Sequence, residues 1–396
     1  MVIQLVQINI PYVFKRYSKK YNIYRDLFEI DLLALEIRDL EEELAENTRH
    51  IIFRNKEICY VKKTENDSKV DLLIIGSFLI FREISKDITA VGNEDLGHRI
   101  GNVLNNYSSR SFQQLSIKSK HVTFNESCVM GIVNVTPDSF SDGGKYFDQN
   151  KAIEHGLHLL EEGAKIIDVG GESTRPNAEP VDVNEELKRV IPVIEGIISI
   201  KPDAMISIDT SKSKVAEDAI CAGASLVNDI SAMSFDKKMV DVVAEKKVPI
   251  VLMHIQGTPA DMQRHPYYDE VIMEIYDYLN SRIAFAEKHG ITKILVDPGI
   301  GFGKRIEDNY EILNRLQEFR GLNKPLLIGL SRKSFLGKSL GLKVDERKVP
   351  TLIAELLALK NGADIVRTHE ISQTLIAINI LSNTAAVDNN SNVGNI

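Results

Sequence analysis

The sequence predicts an α/β protein, a closed (β/α)₈ barrel preceded by a smaller α/β domain. Three observations predict it. From Asn125 onward, short apolar runs alternate with helix-period stretches, the pattern of a parallel sheet made of βα units. Eight such units occupy about 255 residues, which suits a closed barrel better than an open doubly wound sheet. Nearly every run ends in a polar or charged residue, as expected where strand C-termini face a site.

The elements follow in chain order. Residues 1–120 carry strand-like runs at Met1–Ile10, Ile51–Val61 and Leu72–Phe81. A helical stretch, Ile30 to Asn47, is expected between the first two, with Glu41, Glu42 and Glu43 on a solvated face. The polar stretch Asn105–Lys120 reads as a hinge leading out of this domain. The barrel is expected over 125–382. Its strands are Cys128–Val135, Lys165–Val169, Met205–Asp209, Leu226–Asp229, Ile250–His254, Ile294–Asp297, Leu326–Leu330 and Ile365–Thr368. After the second, Leu187, Val190, Ile191, Ile194, Ile197 and Ile198 mark one helix face. The segment 383–396, rich in Asn, Ser and Val, is expected to be disordered.

Composition narrows the function. The chain has 396 residues, 43% hydrophobic and 26% charged, which excludes a disordered or collagen-like chain. No apolar run reaches the roughly 18–20 residues of a membrane helix, so no membrane partner is expected. Met1 to Pro11 does not read as a signal peptide. Three widely spaced cysteines, Cys59, Cys128 and Cys221, form neither a disulfide framework nor a zinc site. Together these features point to a cytoplasmic location. The net charge of −8 argues against a nucleic-acid partner. It is unevenly spread: residues 1–125 hold 18 Lys and Arg against 17 Asp and Glu, and the remainder 30 against 39.

The strand ends suggest chemistry. Asn134 closes the first run, Asp168 the second, Asp209 the third, Asn228 and Asp229 the fourth. Met253 and His254 close the fifth, and Asp297 the sixth. Ser331, Arg332 and Lys333 follow the seventh, and Arg367 and His369 the eighth. A lone Asp after a strand is often only a helix N-cap, a reading open to Asp168 and Asp229. So many groups that are costly to bury unpaired, all at one barrel end, point to a site. Carboxylates and an amide from the third, fourth and sixth strands suit the donor-rich edge of a flat heterocycle. Cations after the seventh and eighth suit an anion.

Two loops rich in Gly, Pro and Ser read as mobile lids. Loop 1, Thr136–Lys145, offers Asp138 and Asp142 as metal-capable carboxylates and Phe140 as a stacking ring; loop 2, Gly170–Pro180, offers Thr174 and Arg175. A third, Asp297–Lys304, has neither P-loop nor Rossmann spacing and suits close backbone approach to a planar ligand. His254 reads as a structural histidine at a strand end, His265 and His289 as surface residues, and Cys128 and Cys221 as small core residues.

With these residues in view, the chain resembles the dihydropteroate synthases, a pterin-binding TIM-barrel family. The segments 131–144 (GIVNVTPDSFSDGG) and 168–176 (DVGGESTRP) carry the resemblance. IDTSK (208–212), VNDI (227–230), LMHIQGTP (252–259), DPGIGFGK (297–304), LSRKS (330–334) and VRTH (366–369) follow in order. Asn177 departs from the family's Gly, a change expected to stiffen loop 2. The first 120 residues match the N-terminal extension of some members.

The resemblance implies condensation of 6-hydroxymethyl-7,8-dihydropterin diphosphate with 4-aminobenzoate, giving dihydropteroate and diphosphate by a dissociative, Mg²⁺-assisted substitution. It implies that Thr174, Asp209, Asn228, Asp297, Lys333, Arg367, Thr368 and His369 bind the pterin diphosphate. Phe140, Thr174, Arg175, Pro176, Phe302 and Ser334 would frame 4-aminobenzoate. Asn134 and Asp138 would hold Mg²⁺, and Asn134, Lys333, Arg367 and His369 would carry the catalysis. It further implies a homodimer. The rivals are a corrinoid-linked methyltetrahydrofolate methyltransferase, which would leave Lys333, Arg367, His369 and loop 1 without purpose, and a non-catalytic pterin-binding paralogue.

Overall fold

In the computed structural model the barrel strands lie where the apolar runs place them: β7 (Cys128–Asn134), β8 (Ile166–Gly170), β9 (Ile206–Asp209), β10 (Leu226–Asp229), β11 (Ile250–Met253), β12 (Ile294–Asp297), β13 (Leu327–Gly329) and β14 (Ile365–Thr368). The structure describes residues 1–23, 32–52, 59–64, 69–108, 115–117, 120–122, 127–136, 149–176 and 178–391. All paired barrel strands run parallel, in the order β12-β11-β10-β9-β8-β7-β14-β13. A parallel bridge from Val296 to Leu326 joins the two outer strands and closes the ring.

Strands with both faces covered are apolar along most of their length, and these carry polar residues chiefly toward their C-terminal ends. Met130, Ile166, Leu226, Val251, Leu295, Leu327 and Ile365 pack together as one layer of the core, with Met205 against it. The helices are α5 (Gln149–Glu161), α6 (Val183–Ile200), α7 (Ser213–Ala222), α8 (Met239–Lys246), α9 (Val271–Lys288), α10 (Ile306–Asn314), α11 (Ser334–Leu340), α12 (Lys348–Lys360) and α13 (Ile371–Ser391). The stripe buried on α6 is Glu186, Val190, Val193, Ile194 and Ile197, so the expected face is shifted and includes a carboxylate. Helix α13 runs to Ser391, well into the segment expected to be disordered. Cys128 is buried, whereas Cys221 is exposed on α7, contrary to expectation.

The other compact unit comprises Met1–Ser111 with Gln317–Asn323. It contains β1 (Val2–Val6), α1 (Pro11–Tyr21), β2 (Leu33–Glu41), α2 (Glu42–Ile52), β3 (Cys59–Thr64), β4 (Lys69–Gly76), α3 (Phe78–Ala90) and α4 (Glu94–Ser108). Its sheet is antiparallel, ordered β1-β2-β4-β3. Beyond it, β5 (Leu115–Ile117) and β6 (Lys120–Val122) form a short hairpin that begins inside the stretch expected to be a hinge and runs past its end.

The helix expected over Ile30 to Asn47 is instead strand β2 followed by α2. Leu35 and Ile37 join the apolar cluster with Phe81 and Ile100 on one face. Glu36 and Arg38 turn to the other face, where water-facing residues were expected. There the buried Glu36 accepts from Tyr21 Oη at 2.7 Å and Lys20 Nζ at 2.7 Å. Tertiary partners therefore allow a charged residue in a central strand. The strand expected through Phe81 stops at Gly76; Ser77 caps α3 through its hydroxyl. Ile51 and Ile52 belong to α2 rather than to a strand.

Candidate active site

The C-terminal ends of the barrel strands open into a cavity of about 500 Å³. In-register pairing brings Asp209 beside Asn228 and beside Gly170, and Asp297 beside Met253. Asp209, Asn228 and Asp297 line the cavity together with Lys333, Arg367 and His369, and with Asn134 from the end of β7. Thr174, Arg175 and Pro176 of loop 2 and Phe302 and Ser334 complete the expected set. Ile230, Met253 and Met262, packed with Phe302, supply an apolar wall.

Asp138 and Phe140 of loop 1, and Asn177 of loop 2, lie outside the described residues. Thr368 is one expected ligand that the structure turns away. It is buried, does not line the cavity, and its hydroxyl accepts from the Glu370 amide at 3.2 Å. Successive strand residues point to opposite faces, so Arg367 faces the cavity and Thr368 the surrounding helices.

Arg367 is the hub of the site. Its Nε donates to Asp168 Oδ2 at 2.6 Å and its Nη2 to Asp209 Oδ2 at 2.8 Å. Asn228 Nδ2 donates to the same Asp168 oxygen at 3.0 Å. Asp168 is therefore an anchor for two cavity residues. Asp229 instead accepts from the Ser231 and Met233 amides, which holds the turn after β10; it is not the helix N-cap its position allowed, since α8 begins only at Met239 behind Lys238. Burial pushes the Asp209 carboxyl up to about 7, against the opposing pull of Arg367.

Asp297 and Lys333 form a second opposed pair. Burial raises the Asp297 carboxyl and the Lys333 ammonium opposes that rise. Burial lowers Lys333 to about 8, opposed chiefly by Asp297. Lys333 Nζ donates to the Ile300 carbonyl and sits 4.7 Å from the Phe302 ring centroid, a cation–π distance. His369 Nδ1 lies 2.8 Å from Ser331 Oγ. Burial first, then Arg332 and Arg367, push its ring down to about 3, so His369 is neutral rather than the cation its position suggested.

The glycine loop after β12 is shaped by backbone demand. Gly299 has φ +69°, and a Cβ there would lie 1.9 Å from the His254 carbonyl oxygen. Its amide donates to Asp297 Oδ1 at 2.7 Å, fixing that carboxylate. Beneath the loop, buried Lys304 reaches the Phe302 carbonyl at 3.0 Å and His254 Nδ1 at 3.0 Å. Burial holds both of these groups well below their usual ranges, and the Lys304 side-chain nitrogen braces the His254 ring. His254 is structural, as expected.

Sequence reasoning missed Glu172 and Arg347 among the lining residues and Lys304 among the braces. Arg347 Nη1 donates to the Arg332 carbonyl at 3.1 Å. The GGEST segment named Glu172 without giving it a role, and Arg347 carries no local signal at all.

Comparison with known proteins agrees with this geometry. The family model for pterin binding enzymes matches residues 130–369. The dihydropteroate synthase of Escherichia coli (strain K12) is 45% identical over 264 residues, covering 66% of this chain and 93% of that protein. That of Bacillus subtilis (strain 168) is 44% identical over 264 residues, covering 66% and 90%. Among solved structures, Xanthomonas albilineans dihydropteroate synthase in complex with 7,8-dihydropteroate superposes with a TM-score of 0.63 at 40% identity, covering 69% of this chain and 99% of that one. The Yersinia pestis enzyme, solved as a sulfonamide drug complex, gives 0.66 at 39% identity, covering 69% and 99%.

Proposed function

The chain belongs to the family of pterin binding enzymes, and we propose that it works there as a dihydropteroate synthase, a transferase that joins 6-hydroxymethyl-7,8-dihydropterin diphosphate to 4-aminobenzoate and releases diphosphate. The observation that carries this reading is the mixed lining of one cavity: Asp209, Asn228 and Asp297 share it with Lys333, Arg367 and His369. A heterocycle with an anion attached to it matches both sets at once. A pterin methyltransferase has no diphosphate and would leave the second set idle.

In this reading Asp297 and Asn228 accept and donate along the pterin edge, and Lys333 reaches the pterin from the opposite side. Arg367 has five N–H donors, of which two hold Asp168 and Asp209, so others remain for the leaving diphosphate. His369 contributes a neutral N–H donor. These donors stabilise charge that grows as the C–O bond breaks, and Thr174, Arg175, Pro176, Phe302 and Ser334 position the attacking aryl amine. No covalent nucleophile is needed for such a dissociative substitution.

Among the described residues no group of three or more His, Cys, Asp or Glu could hold a metal. Mg²⁺ nevertheless suits the site, because it keeps most of its waters and takes one or two protein oxygens alongside substrate phosphates. The Asn134 side-chain oxygen at the cavity fits that demand; Asp138 is the second expected ligand. When bound, Mg²⁺ neutralises the leaving diphosphate.

The finer features of this reading are a cytoplasmic location and a homodimer. No helix among the described residues is long and apolar enough to cross a membrane. Exposed Val349, Ile353 and Leu357 along α12, with Ile376 and Ile380 on α13, support a self-association face. Incubation with dihydropterin diphosphate, Mg²⁺ and 4-aminobenzoate tests the function. Dihydropteroate and diphosphate should form in equal amounts. Diphosphate release without condensation, or no product at all, would overturn the reading.

A further inference from the structure

The base of loop 2 is braced by a three-membered ion cluster outside the expected site residues. Glu172, two residues past the end of β8, lines the cavity. Its Oε1 accepts from the Val181 amide at 2.7 Å, which closes the loop on itself. Its Oε2 accepts from Lys212 Nζ at 2.9 Å. The same ammonium lies 2.5 Å from Glu186 Oε2 on α6, whose side chain is fully buried. Lys212 stands at the N-cap of α7, three residues after Asp209. Its own amide donates to Thr210 Oγ1 at 3.2 Å, which fixes the turn.

The loop base has little room to shift. Arg189 Nη1 donates to the Gly171 carbonyl at 2.9 Å. A Cβ at Gly171 would come within 2.8 Å of Val190 and 3.0 Å of Glu186 Cγ. The ammonium thus links three segments: the loop-2 base, helix α6 and the β9–α7 turn.

We infer that Lys212 is a positioning residue that, through Glu172 and Glu186, locks the base of loop 2 to the turn carrying Asp209, and so holds the aryl-amine loop in register with the pterin strand. The inference rests on the dihydropteroate synthase reading. Lys212 does not line the cavity, so it acts through Glu172 and not on substrate. Cutting the link lets loop 2 leave its assembled position for a larger part of the time, with the pterin diphosphate bound as well as without it. Apparent affinity for the aryl amine falls by the fraction of time that the pocket is assembled, while the pterin strands are untouched.

The test is a KM split in the full-length enzyme, run with thermal unfolding. Glu172→Gln keeps an acceptor for the Val181 amide but loses its charge toward Lys212. It should raise KM for 4-aminobenzoate about tenfold and leave KM for dihydropterin diphosphate within twofold. Lys212→Arg should stay within threefold of wild type on both, because a guanidinium can still reach two carboxylates. Lys212→Met alone leaves Glu186 buried without its cation, so the double variant Lys212→Met/Glu186→Gln is measured as well. It should fold and show the raised aryl-amine KM. An unmoved aryl-amine KM in folded Glu172→Gln and in the double variant would overturn the inference. So would equal losses for both substrates, which would mark a merely structural role. If wild type formed no dihydropteroate, the functional reading would fail instead; turnover by wild type with unsplit KM values overturns the brace alone.

Discussion

Replacing Asp297 by Asn perturbs two measurable quantities at once. The Asn oxygen can still accept from the Gly299 amide, which Asp297 Oδ1 now does at 2.7 Å, so the loop should keep its shape. What is lost is the charge facing the pterin edge. A hydrogen bond to a charged group contributes about 1.5–3 kcal/mol, so affinity for a pterin lacking diphosphate should fall roughly ten- to a hundredfold. The second quantity is the protonation of Lys333. Burial holds that ammonium down to about 8, and Asp297 is the main group pushing it back up. Without the carboxylate Lys333 titrates lower, and its charge is lost at a less alkaline pH. Activity requiring the Lys333 cation is present below its pKa and disappears above it, so the alkaline limb of kcat/KM should move to lower pH. Calorimetry with the diphosphate-free pterin and a pH profile with the full substrate read the two effects separately. Wild-type affinity in a folded variant refutes the pterin contact. An unmoved alkaline limb refutes the Asp297–Lys333 coupling.

Three further outcomes follow from the same geometry. His369→Ala should lower kcat about tenfold or more while binding of diphosphate-free pterin stays within twofold, since the neutral ring serves only the anion; normal turnover would remove His369 from the mechanism. Gly299→Ala forces a Cβ against the His254 carbonyl in a left-handed conformation and should cost at least about 2 kcal/mol in urea unfolding; an unchanged midpoint would show that the loop rearranges freely. Equilibrium binding of labelled 4-aminobenzoate should be detectable only with Mg²⁺ and diphosphate present, because its contacts Thr174 and Arg175 sit on loop 2; equal affinity without them would show a preformed pocket.

Much of the barrel is legible in sequence because its logic is local. Each strand is a short apolar run covered on both faces, and each is followed by its own helix, so the pattern survives without knowledge of long-range contacts. Strand β2 lacks that property. Leu33–Glu41 mixes apolar and charged residues in a way that mimics a helix surface. Tyr17, Lys20 and Tyr21, more than a dozen residues earlier, with Arg38 of the same strand, explain how Glu36 is buried there. The buried Glu186 on α6 fails for the same reason: its cation comes from Lys212, after the next strand. Lys304 is a harder case, since a lysine with its usual charge belongs in water. Burial holds its pKa well below the usual lysine range, and the His254 and Phe302 partners that receive its hydrogen bonds follow from the fold alone.

At the site, sequence indicates which groups gather but not the state in which they wait. The strand-end rule brings Asp209, Asn228, Asp297, Arg367 and His369 to one cavity, and simple charge counting would give it a strong cationic end. The packing alters that picture. Arg367 is held by two carboxylates and His369 is neutral, so the ligand-free anion pocket is much less positive than its composition implies. On the proposed reading, this suits a dissociative substitution. A site with a strong uncompensated positive field would grip the diphosphate equally before and after bond cleavage, and equal gripping does not accelerate chemistry. A guanidinium that keeps its anchors on Asp168 and Asp209 is already oriented, and its remaining donors gain most when negative charge concentrates on the departing group. Asp168, read from sequence as a possible helix cap, is instead the residue that holds Arg367 in the orientation the proposed mechanism uses.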